Sequence, residues 1–259
     1  MAVEFAGLQV IDVSNPANCL RVGGYVTGGW AVGVAVSGNY AYVADYGAGL
    51  QVIDVSNPSH CVRVCGYDTS GQARGVAVSG NSAYVADYGA GLQVIDVSDP
   101  ANCVRVGGYD TSGEAVGVAV SGNYAYVADY TNGLQVIDVS NPTNCVRVGG
   151  YSLSRLALGV AVSRNYAYMA EQRWTGHRYL GSLQVIDVSN PANCVRVGGY
   201  NTRGYASGVA VVAGRIYVAD GDAGLLVLPT LPNVQFTVRV NATTNETFTL
   251  EAADRKSVV

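Results

Sequence analysis

Short runs of apolar and β-branched residues recur along almost the whole chain, separated by clusters of Gly, Pro, Asn and Ser. One repeat unit contains four such runs, Leu92–Val97, Val104–Tyr109, Gly117–Val120 and Tyr124–Ala128. Runs this short, bounded by turn residues and rich in Val, Ile and Tyr, are typical of β-strands rather than helices. Because the connections are too short for a crossover helix, the pattern predicts an antiparallel meander of four strands.

The unit returns at a nearly constant period. Aspartates at one repeat position are spaced 42 residues apart from Asp12 to Asp138, and Asp187 follows after 49. A period of about 40–45 residues with four short strands is typical of a β-propeller blade. The two middle runs are apolar at almost every position, as expected for sheets covered on both faces. We therefore expect an all-β fold, a β-propeller of four-stranded antiparallel blades closed into a ring rather than an open solenoid.

Six copies of the Leu-x-Val strand, five of which contain the aspartate, favour six blades, although five remain possible if both chain ends share one blade. Residues 1–228 hold the propeller repeats, and residues 229–259 differ in pattern. In that C-terminal segment, Val234–Val240 and Thr247–Ala252 predict a β-hairpin that could complete the last blade.

Composition narrows the class of partner. Charged residues make up only 13% of the chain and the net charge is −4, which argues against nucleic acid or an anionic membrane. No apolar run is long enough for a membrane span, and Met1–Gly7 lacks the features of a signal peptide. Five of the six cysteines share one repeat position on different blades, so we expect free thiols and no disulfide framework.

The repeated Leu-x-Val-Ile-Asp followed by a Ser-Asn-Pro turn resembles the LVIVD repeat family, over residues 1 to about 228. The resemblance implies a β-propeller, often in bacterial or archaeal surface and secreted proteins, with no general enzymatic activity and no shared catalytic residues. It therefore implies an extracellular or cell-surface location. Cysteine stands after the turn where proline is common in the family, and this departure leaves a cytoplasmic location open.

Two sets of acidic residues repeat with the blades. The first set is Asp12, Asp54, Asp96, Asp138 and Asp187, which the expected hairpin register places opposite Arg21, Arg63, Arg105, Arg147 and Arg196 as cross-strand ion pairs. The second set is Glu4, Asp45, Asp87, Asp129, Glu171 and Asp220. We expect the aspartates of this set that precede a Gly-containing turn to accept hydrogen bonds from their own turns. The alternative is a ring of acids that holds a cation in the central channel.

Differences between the copies cluster in two connections of the repeat, which a four-stranded meander brings to the same face. One of these connections is expanded by seven residues in the fifth unit. Aromatic and Arg side chains are enriched at binding hot spots, so these connections predict a ligand-binding face. The candidate residues are Trp30, Arg74, Arg155, Arg173, Trp174, His177, Arg178, Tyr179, Arg203 and Tyr205.

The sequence therefore favours a monomeric, non-enzymatic binding or scaffold propeller that recognises a protein, a glycan or an anionic ligand on its variable face. The alternative is a propeller hydrolase or lyase that uses the acids and His177 near the central channel. A third possibility is a structural module of a longer surface protein. No catalytic residue, metal site or cofactor is assigned, because no motif for one is present.

Overall fold

The computed structural model describes residues 1–230, which form six antiparallel sheets in chain order, here called blades 1–6. Blade 1 contains β1 (Ala2–Val3), β2 (Gly7–Asp12) and β3 (Leu20–Tyr25); blade 6 contains β20 (Gly208–Val212), β21 (Arg215–Ala219) and β22 (Leu225–Pro229). Blade 2 contains β4 (Gly33–Ser37), β5 (Tyr40–Ala44), β6 (Leu50–Asp54) and β7 (Val62–Tyr67); blade 3 contains β8 (Gly75–Ser79), β9 (Ser82–Ala86), β10 (Leu92–Asp96) and β11 (Val104–Tyr109). Blade 4 contains β12 (Gly117–Ser121), β13 (Tyr124–Ala128), β14 (Leu134–Asp138) and β15 (Val146–Tyr151); blade 5 contains β16 (Leu156–Ser163), β17 (Tyr166–Trp174), β18 (Tyr179–Asp187) and β19 (Val195–Asn201). A short 3₁₀ turn, Gly221–Ala223, precedes β22.

The predicted six-blade propeller is confirmed, with the qualification that blades 1 and 6 have three strands each within the described residues. In each complete blade the Gly-Val-Ala-Val strand is innermost, and the inner strands of neighbouring blades contact one another from β4 through β20. Among residues 1–230, blade 1 has no counterpart of this inner strand and blade 6 has none of the outer strand. The predicted hairpin of Val234–Val240 and Thr247–Ala252 lies outside the described residues.

The core consists of one apolar cluster at each junction between consecutive blades. Leu92 and Val94 of β10 pack towards blade 4, whereas Ile95 of the same strand packs towards blade 2. Successive side chains of a strand point to opposite faces, so a strand buried on both faces must be apolar at nearly every position. Burial on both faces therefore explains the uniformly apolar runs of the sequence.

One face of blade 6 is not buried. Leu225 is 66% exposed, whereas its counterparts Leu50, Leu92 and Leu134 are 0% exposed. Within residues 1–230, five buried clusters join blades 1 to 6 in series, and none of them joins blade 6 to blade 1. The expectation that every blade face is hidden therefore holds at five interfaces, and this face of blade 6 has no apolar cluster with a partner among residues 1–230.

The predicted ion pairs between Asp12 and Arg21, and their equivalents, are wrong. Asp12 lies opposite Leu20, and Ile11 lies opposite Arg21. The Asp12 Oδ1 atom instead accepts a hydrogen bond from the Ser14 N–H at 2.8 Å, and the same contact recurs at Asp54, Asp96, Asp138 and Asp187. A β-bulge between Val10 and Ile11 shifts the turn end of the hairpin by one residue from the expected register, whereas Leu8 to Val10 keep that register.

The prediction of six unpaired cysteines is also wrong, because a disulfide joins Cys65 of blade 2 to Cys103 of blade 3. Their Cα atoms are 6.1 Å apart, within the range that a disulfide spans. Cys65 does not occupy the shared cysteine position. It replaces the first glycine of the Gly-Gly pair, which faces the turn of the next blade, where Cys103 lies. Cys19, Cys61, Cys145 and Cys194 are free.

No helix within residues 1–230 has the length and apolar character needed to cross a membrane.

Candidate functional site: the variable face of the propeller

The variable face is the end of the blades that carries the connections from each outer strand to the next inner strand and from each second strand to the third. Contacts across it confirm that these connections meet. The Asp45 Oδ1 atom accepts a hydrogen bond from the Thr27 hydroxyl at 2.6 Å, and its Oδ2 atom accepts one from the Gly29 N–H at 2.9 Å. Asp45 follows β5, whereas Thr27 and Gly29 lie between β3 and β4. The carboxylate therefore ties two connections of adjacent blades together.

This bonding of a buried aspartate to the preceding connection, here called the latch, recurs in other blades. Asp87 accepts hydrogen bonds from the Thr69 hydroxyl at 2.6 Å and the Gly71 N–H at 3.0 Å, and Asp129 accepts one from the Thr111 hydroxyl at 2.7 Å. These carboxylates are fully buried, and burial raises the pKa of each, against the lowering effect of the donated hydrogen bonds. The expected bonding of Asp45 and Asp87 to their own turns is wrong, because the donors of their side-chain bonds lie in the preceding connection, 16 to 18 residues earlier.

Blade 5 replaces this latch with a different polar cluster. Glu171 accepts hydrogen bonds from the Ser182 hydroxyl and from the Gln184 side-chain amide at 2.6 Å. The Arg155 Nε atom lies 3.5 Å from Glu171 Oε1 and forms an ion pair with it. Arg155, a candidate ligand-binding residue, is thereby engaged within the blade.

A row of aromatic side chains crosses the variable face over blades 1 to 3. Trp30 packs edge-on against Phe5, with ring centroids 5.2 Å apart, and against Tyr46 at 5.8 Å. The row continues through Arg74, whose guanidinium carbon lies 5.2 Å from the Tyr46 ring centroid and 4.6 Å from that of Tyr88. These distances fit cation–π contacts.

The backbone holds the tyrosines of this row in place. Tyr46 exchanges two hydrogen bonds of 3.0 Å with Ala73 in the next connection, and Tyr88 pairs in the same way with Ala115. Tyr46 and Tyr88 adopt φ values of 47° and 48°, a left-handed conformation uncommon for residues other than glycine. Contacts between blades therefore impose the geometry of the row.

Beside Trp30 lies a shallow, open depression of about 430 Å³. Its lining residues are Phe5, Gly28, Gly29, Trp30, Tyr46, Gly47 and Ala48. Trp30 is 41% exposed, and its ring forms one wall of the depression. The other lining residues are glycine and alanine, so an approaching group would meet aromatic rings and backbone.

The expanded connection in blade 5 is a β-ribbon. Strands β17 and β18 continue their pairing through Glu171↔Ser182 to Trp174↔Tyr179. The Trp174 and Tyr179 rings pack against each other with centroids 4.8 Å apart, and Trp174 is 53% exposed. Thr175 and Arg178 close the tip by hydrogen bonds, which leaves His177 and Arg178 exposed there.

The remaining candidates lie on blade 6. The Arg203 N–H donates to Asp220 Oδ2 at 3.2 Å, and Tyr205 stands over Gly221. The structure thus divides the ten candidates between the Trp30 row, the blade 5 ribbon with Arg155, and blade 6. Within residues 1–230, no aromatic or cation–π contact joins these groups.

Sequence reasoning missed Phe5, Tyr46 and Tyr88 as members of the aromatic row. Phe5 and Tyr46 occupy one repeat position, directly after the second acidic set, and Tyr88 and Tyr130 follow at the same position. Their recurrence beside a variable connection was the signal that could have found them.

The buried acids do not gather in one pocket. Asp45, Asp87, Asp129 and Asp220 each bond to the connection that precedes their own blade. Among the residues that the structure describes, no three His, Cys, Asp or Glu side chains converge in a way that could hold a metal ion.

The family model of the LVIVD repeat matches the chain six times, at residues 1–27, 28–69, 70–111, 112–152, 154–202 and 203–235. The chain belongs to the LVIVD repeat family. Each match covers one blade as the structure divides them. No curated protein matches this LVIVD-repeat chain.

Two solved structures share the fold at 11% sequence identity. The β-propeller domain of Myceliophteria thermophila Cps50 (Swd1) aligns with a TM-score of 0.67 over 88% of this chain and 79% of its own. The computationally designed Ika8 protein aligns with a TM-score of 0.59 over 81% of this chain. The LVIVD-repeat chain spans only 61% of the length of Ika8. At this identity the likeness concerns the fold alone.

Proposed function

We propose that this LVIVD-repeat propeller is a non-enzymatic recognition module that binds its ligand on the variable face. The supporting observation is the exposed Trp30, held between Phe5 and Tyr46 beside an open depression. A large aromatic side chain fixed by its neighbours loses little conformational entropy when a partner covers it. Rigid exposed aromatics of this kind are typical hot spots of binding interfaces.

The state of the acids supports binding rather than catalysis. General acid–base chemistry needs a titratable group within hydrogen-bond reach of the substrate. Asp45, Asp87 and Asp129 are fully buried, and their oxygens accept hydrogen bonds from structural donors in the connection that precedes each blade. We assign these carboxylates a structural role, and His177 is exposed at the tip of the ribbon.

The chemistry of the depression favours a protein ligand over a glycan or an anion. Sites for small polar ligands combine apolar walls with a few precisely placed polar groups. The Trp30 depression is lined by aromatic rings, glycine and alanine, and the carboxylate of Asp45, which bonds to the lining residue Gly29, is occupied by Thr27 and Gly29. Arg74 is stacked between two tyrosines. An apolar side chain of a peptide or protein segment fits this surface best.

The test is a screen of displayed peptides and of a glycan array, followed by affinity measurements on variants of the intact chain. Trp30→Ala should weaken the selected peptide at least about tenfold, the scale of a hot-spot residue. Trp174→Ala combined with Arg178→Ala tests whether the blade 5 ribbon shares the ligand. Tyr200→Ala is the matched control, because Tyr200 is an exposed aromatic residue of β19 outside the Trp30 row.

Selective binding of glycans, or peptide binding that neither Trp30→Ala nor the ribbon variant weakens, would contradict the proposal. Turnover of a screened ester, glycoside or polyanion that is lost in an Asp→Asn variant would favour the enzyme alternative. Circular dichroism melting of each variant separates lost contacts from lost folding.

A further inference from the structure

Blade 5 departs from the latch at three repeat positions at once. Leu153 replaces the latch threonine, Arg155 replaces the glycine two residues further on, and Glu171 replaces the aspartate. The threonine, the glycine and the aspartate are all present at these positions for blades 2, 3, 4 and 6. Because a leucine side chain has no hydrogen-bond donor, other groups have to hold the carboxylate of blade 5.

The replacement leaves one oxygen of the Glu171 carboxylate without a partner. Glu171 Oε1 accepts hydrogen bonds from the Ser182 hydroxyl and from the Gln184 amide. The same oxygen lies 3.5 Å from Arg155 Nε. Glu171 Oε2 and Arg155 Nη1 are buried, and neither has a hydrogen-bond partner within residues 1–230. In blades 2 to 4, by contrast, both oxygens of each latch aspartate accept hydrogen bonds.

Arg155 and Glu171 line a cavity beside blade 5. Its volume of about 420 Å³ lies within the range of small-molecule sites in proteins. Gln184, Arg196 and Asn201 also line it, so much of its wall is polar, unlike that of the Trp30 depression. Buried charged atoms without partners are unfavourable, so a bound molecule that completes their hydrogen bonds is favoured here.

The charges around the cavity favour a carboxylate. Arg155 and Glu171 neutralise each other as an ion pair. Arg196 donates its Nε–H to the side-chain carbonyl oxygen of Gln184, and no carboxylate within residues 1–230 forms an ion pair with it. One guanidinium at the cavity is therefore uncompensated. A guanidinium presents paired N–H donors whose geometry matches the two oxygens of a carboxylate.

The contact between Arg155 and Glu171 sets the spacing that a ligand has to match. The unused donor and acceptor lie on two side chains already in contact, so a ligand that bonds to both needs an acceptor and a donor only a few bonds apart. A carboxylate with a donor on its α-carbon has this arrangement. We propose that the cavity binds a small α-amino acid or α-hydroxy acid, with its carboxylate on Arg155 and Arg196 and its α-donor on Glu171 Oε2.

Two consequences follow from the position of the cavity. Both unpartnered atoms are shielded from solvent, so we expect a rotation of the Arg155 side chain to accompany binding. The cavity shares no lining residue with the Trp30 depression. This proposal and that of peptide binding at Trp30 therefore succeed or fail separately.

The first experiment is isothermal titration calorimetry of the intact chain with the twenty common α-amino acids and with lactate, glycerate and malate. The best ligand is then compared with its analogue that lacks the α-donor, and with sulfate. Loss of the donor should weaken binding at least about tenfold, the scale of a hydrogen bond to a charged group. The ranking of amino acids against hydroxy acids decides whether an ammonium or a hydroxyl faces Glu171.

Variants test whether the ligand binds in this cavity. Glu171→Gln, Arg155→Met and Arg196→Met each remove one proposed partner, and each should weaken the best ligand at least about tenfold. Arg147→Met is the matched control, because Arg147 is the blade 4 counterpart of Arg196 and does not line the cavity. Its affinity for the ligand should equal that of wild type.

A triple variant covers the case in which a single variant does not fold. Leu153→Thr, Arg155→Gly and Glu171→Asp together restore the latch residues of blades 2 to 4 and remove the proposed partners on Arg155 and Glu171. This variant should fold and should lose the ligand. Circular dichroism melting of every variant checks its folding.

Three results would overturn the proposal. Absence of binding by wild type at millimolar concentrations of every acid would leave a buried water molecule as the partner of the two atoms. Equal binding of sulfate or of the analogue without the α-donor would reduce the site to a simple anion contact. Unchanged affinity in both Glu171→Gln and the triple variant would place the ligand elsewhere.

Discussion

At the scale of single residues, the same amino acid has opposite roles at two repeat positions. Asp54 is half-buried at the end of its strand, and hydrogen bonds from Ser56 hold the pKa of its carboxyl below the usual range. Asp87 is fully buried, and desolvation raises the pKa of its carboxyl despite hydrogen bonds from Thr69 and Gly71. The difference arises because hydrogen bonds favour the charged form whereas burial disfavours it.

This contrast predicts opposite effects of pH on two matched variants. A raised pKa means that the folded state takes up a proton first as the pH falls. Wild type should therefore gain stability relative to Asp87→Asn as the pH falls through the raised pKa towards 3.8, and the difference should be flat at higher pH. Relative to Asp54→Asn, wild type should lose stability as the pH falls below 3.8. Urea unfolding from pH 7 to pH 3 measures both, and parallel curves for the two variants would contradict the assignment.

The Thr69 hydroxyl should contribute more to the free energy of unfolding than an exposed threonine hydroxyl does. Thr69→Val keeps the shape of the side chain but removes the donor to the buried Asp87 carboxylate, which should cost about 1–3 kcal/mol of the free energy of unfolding. Thr143→Val is the control, because Thr143 is exposed and bonds only to Asn141 in its own turn; the expected change is within about 0.5 kcal/mol. Equal losses of unfolding free energy in the two variants would show that the latch adds no stability beyond that of an exposed hydroxyl.

At the scale of elements, the strands follow from local pattern but their partners do not. The Leu-x-Val-Ile-Asp run predicts β10 and its equivalents because its composition and flanking turns favour a strand wherever it occurs. The register of Asp12 and the extension of β17 and β18 were misjudged, because turn chemistry and cross-strand pairs decide them. The aromatic row was only partly predictable, since Phe5 meets Trp30 only after blades 1 and 2 stack.

Two glycines of one repeat position provide a test of blade spacing. A Cβ atom on Gly107 of β11 would overlap the carbonyl oxygen of Pro142 in the next blade, whereas at Gly198 of β19 no described atom lies within 4 Å. Gly107→Ala should therefore cost about 1–3 kcal/mol through overpacking. Gly198→Ala should be close to neutral in the same denaturation experiment. A large loss of stability in Gly198→Ala would mean that another group covers β19 at this position.

At the scale of the whole molecule, stability comes from the series of blade junctions, with one covalent link between blades 2 and 3. A propeller blade cannot bury both faces alone, so each blade depends on its neighbours. The disulfide closes a loop with a sequence separation of 38 residues and restricts the unfolded chain.

Removal of this link should lower the stability of the whole propeller. For a loop of this length the chain-entropy model gives a loss of up to about 4 kcal/mol in Cys65→Ser, measured by urea unfolding. Cys19→Ser is the control, since Cys19 is free and exposed. Alkylation of the denatured, unreduced protein should modify the four free cysteines and spare Cys65 and Cys103. Modification of all six without reductant would contradict the pairing.

The sequence by itself determined the strand content and the face on which the copies diverge, and it favoured six blades over five, because these features depend on the period, the apolar runs and the turn residues within about 42 residues. Only the tertiary structure decided that Asp87 bonds to Thr69, that Cys65 meets Cys103, that Trp30 packs between Phe5 and Tyr46, and that Leu225 is uncovered. Each of these depends on how one blade is placed against the next, and nearly identical repeats carry no local signal that distinguishes an internal junction from a terminal one.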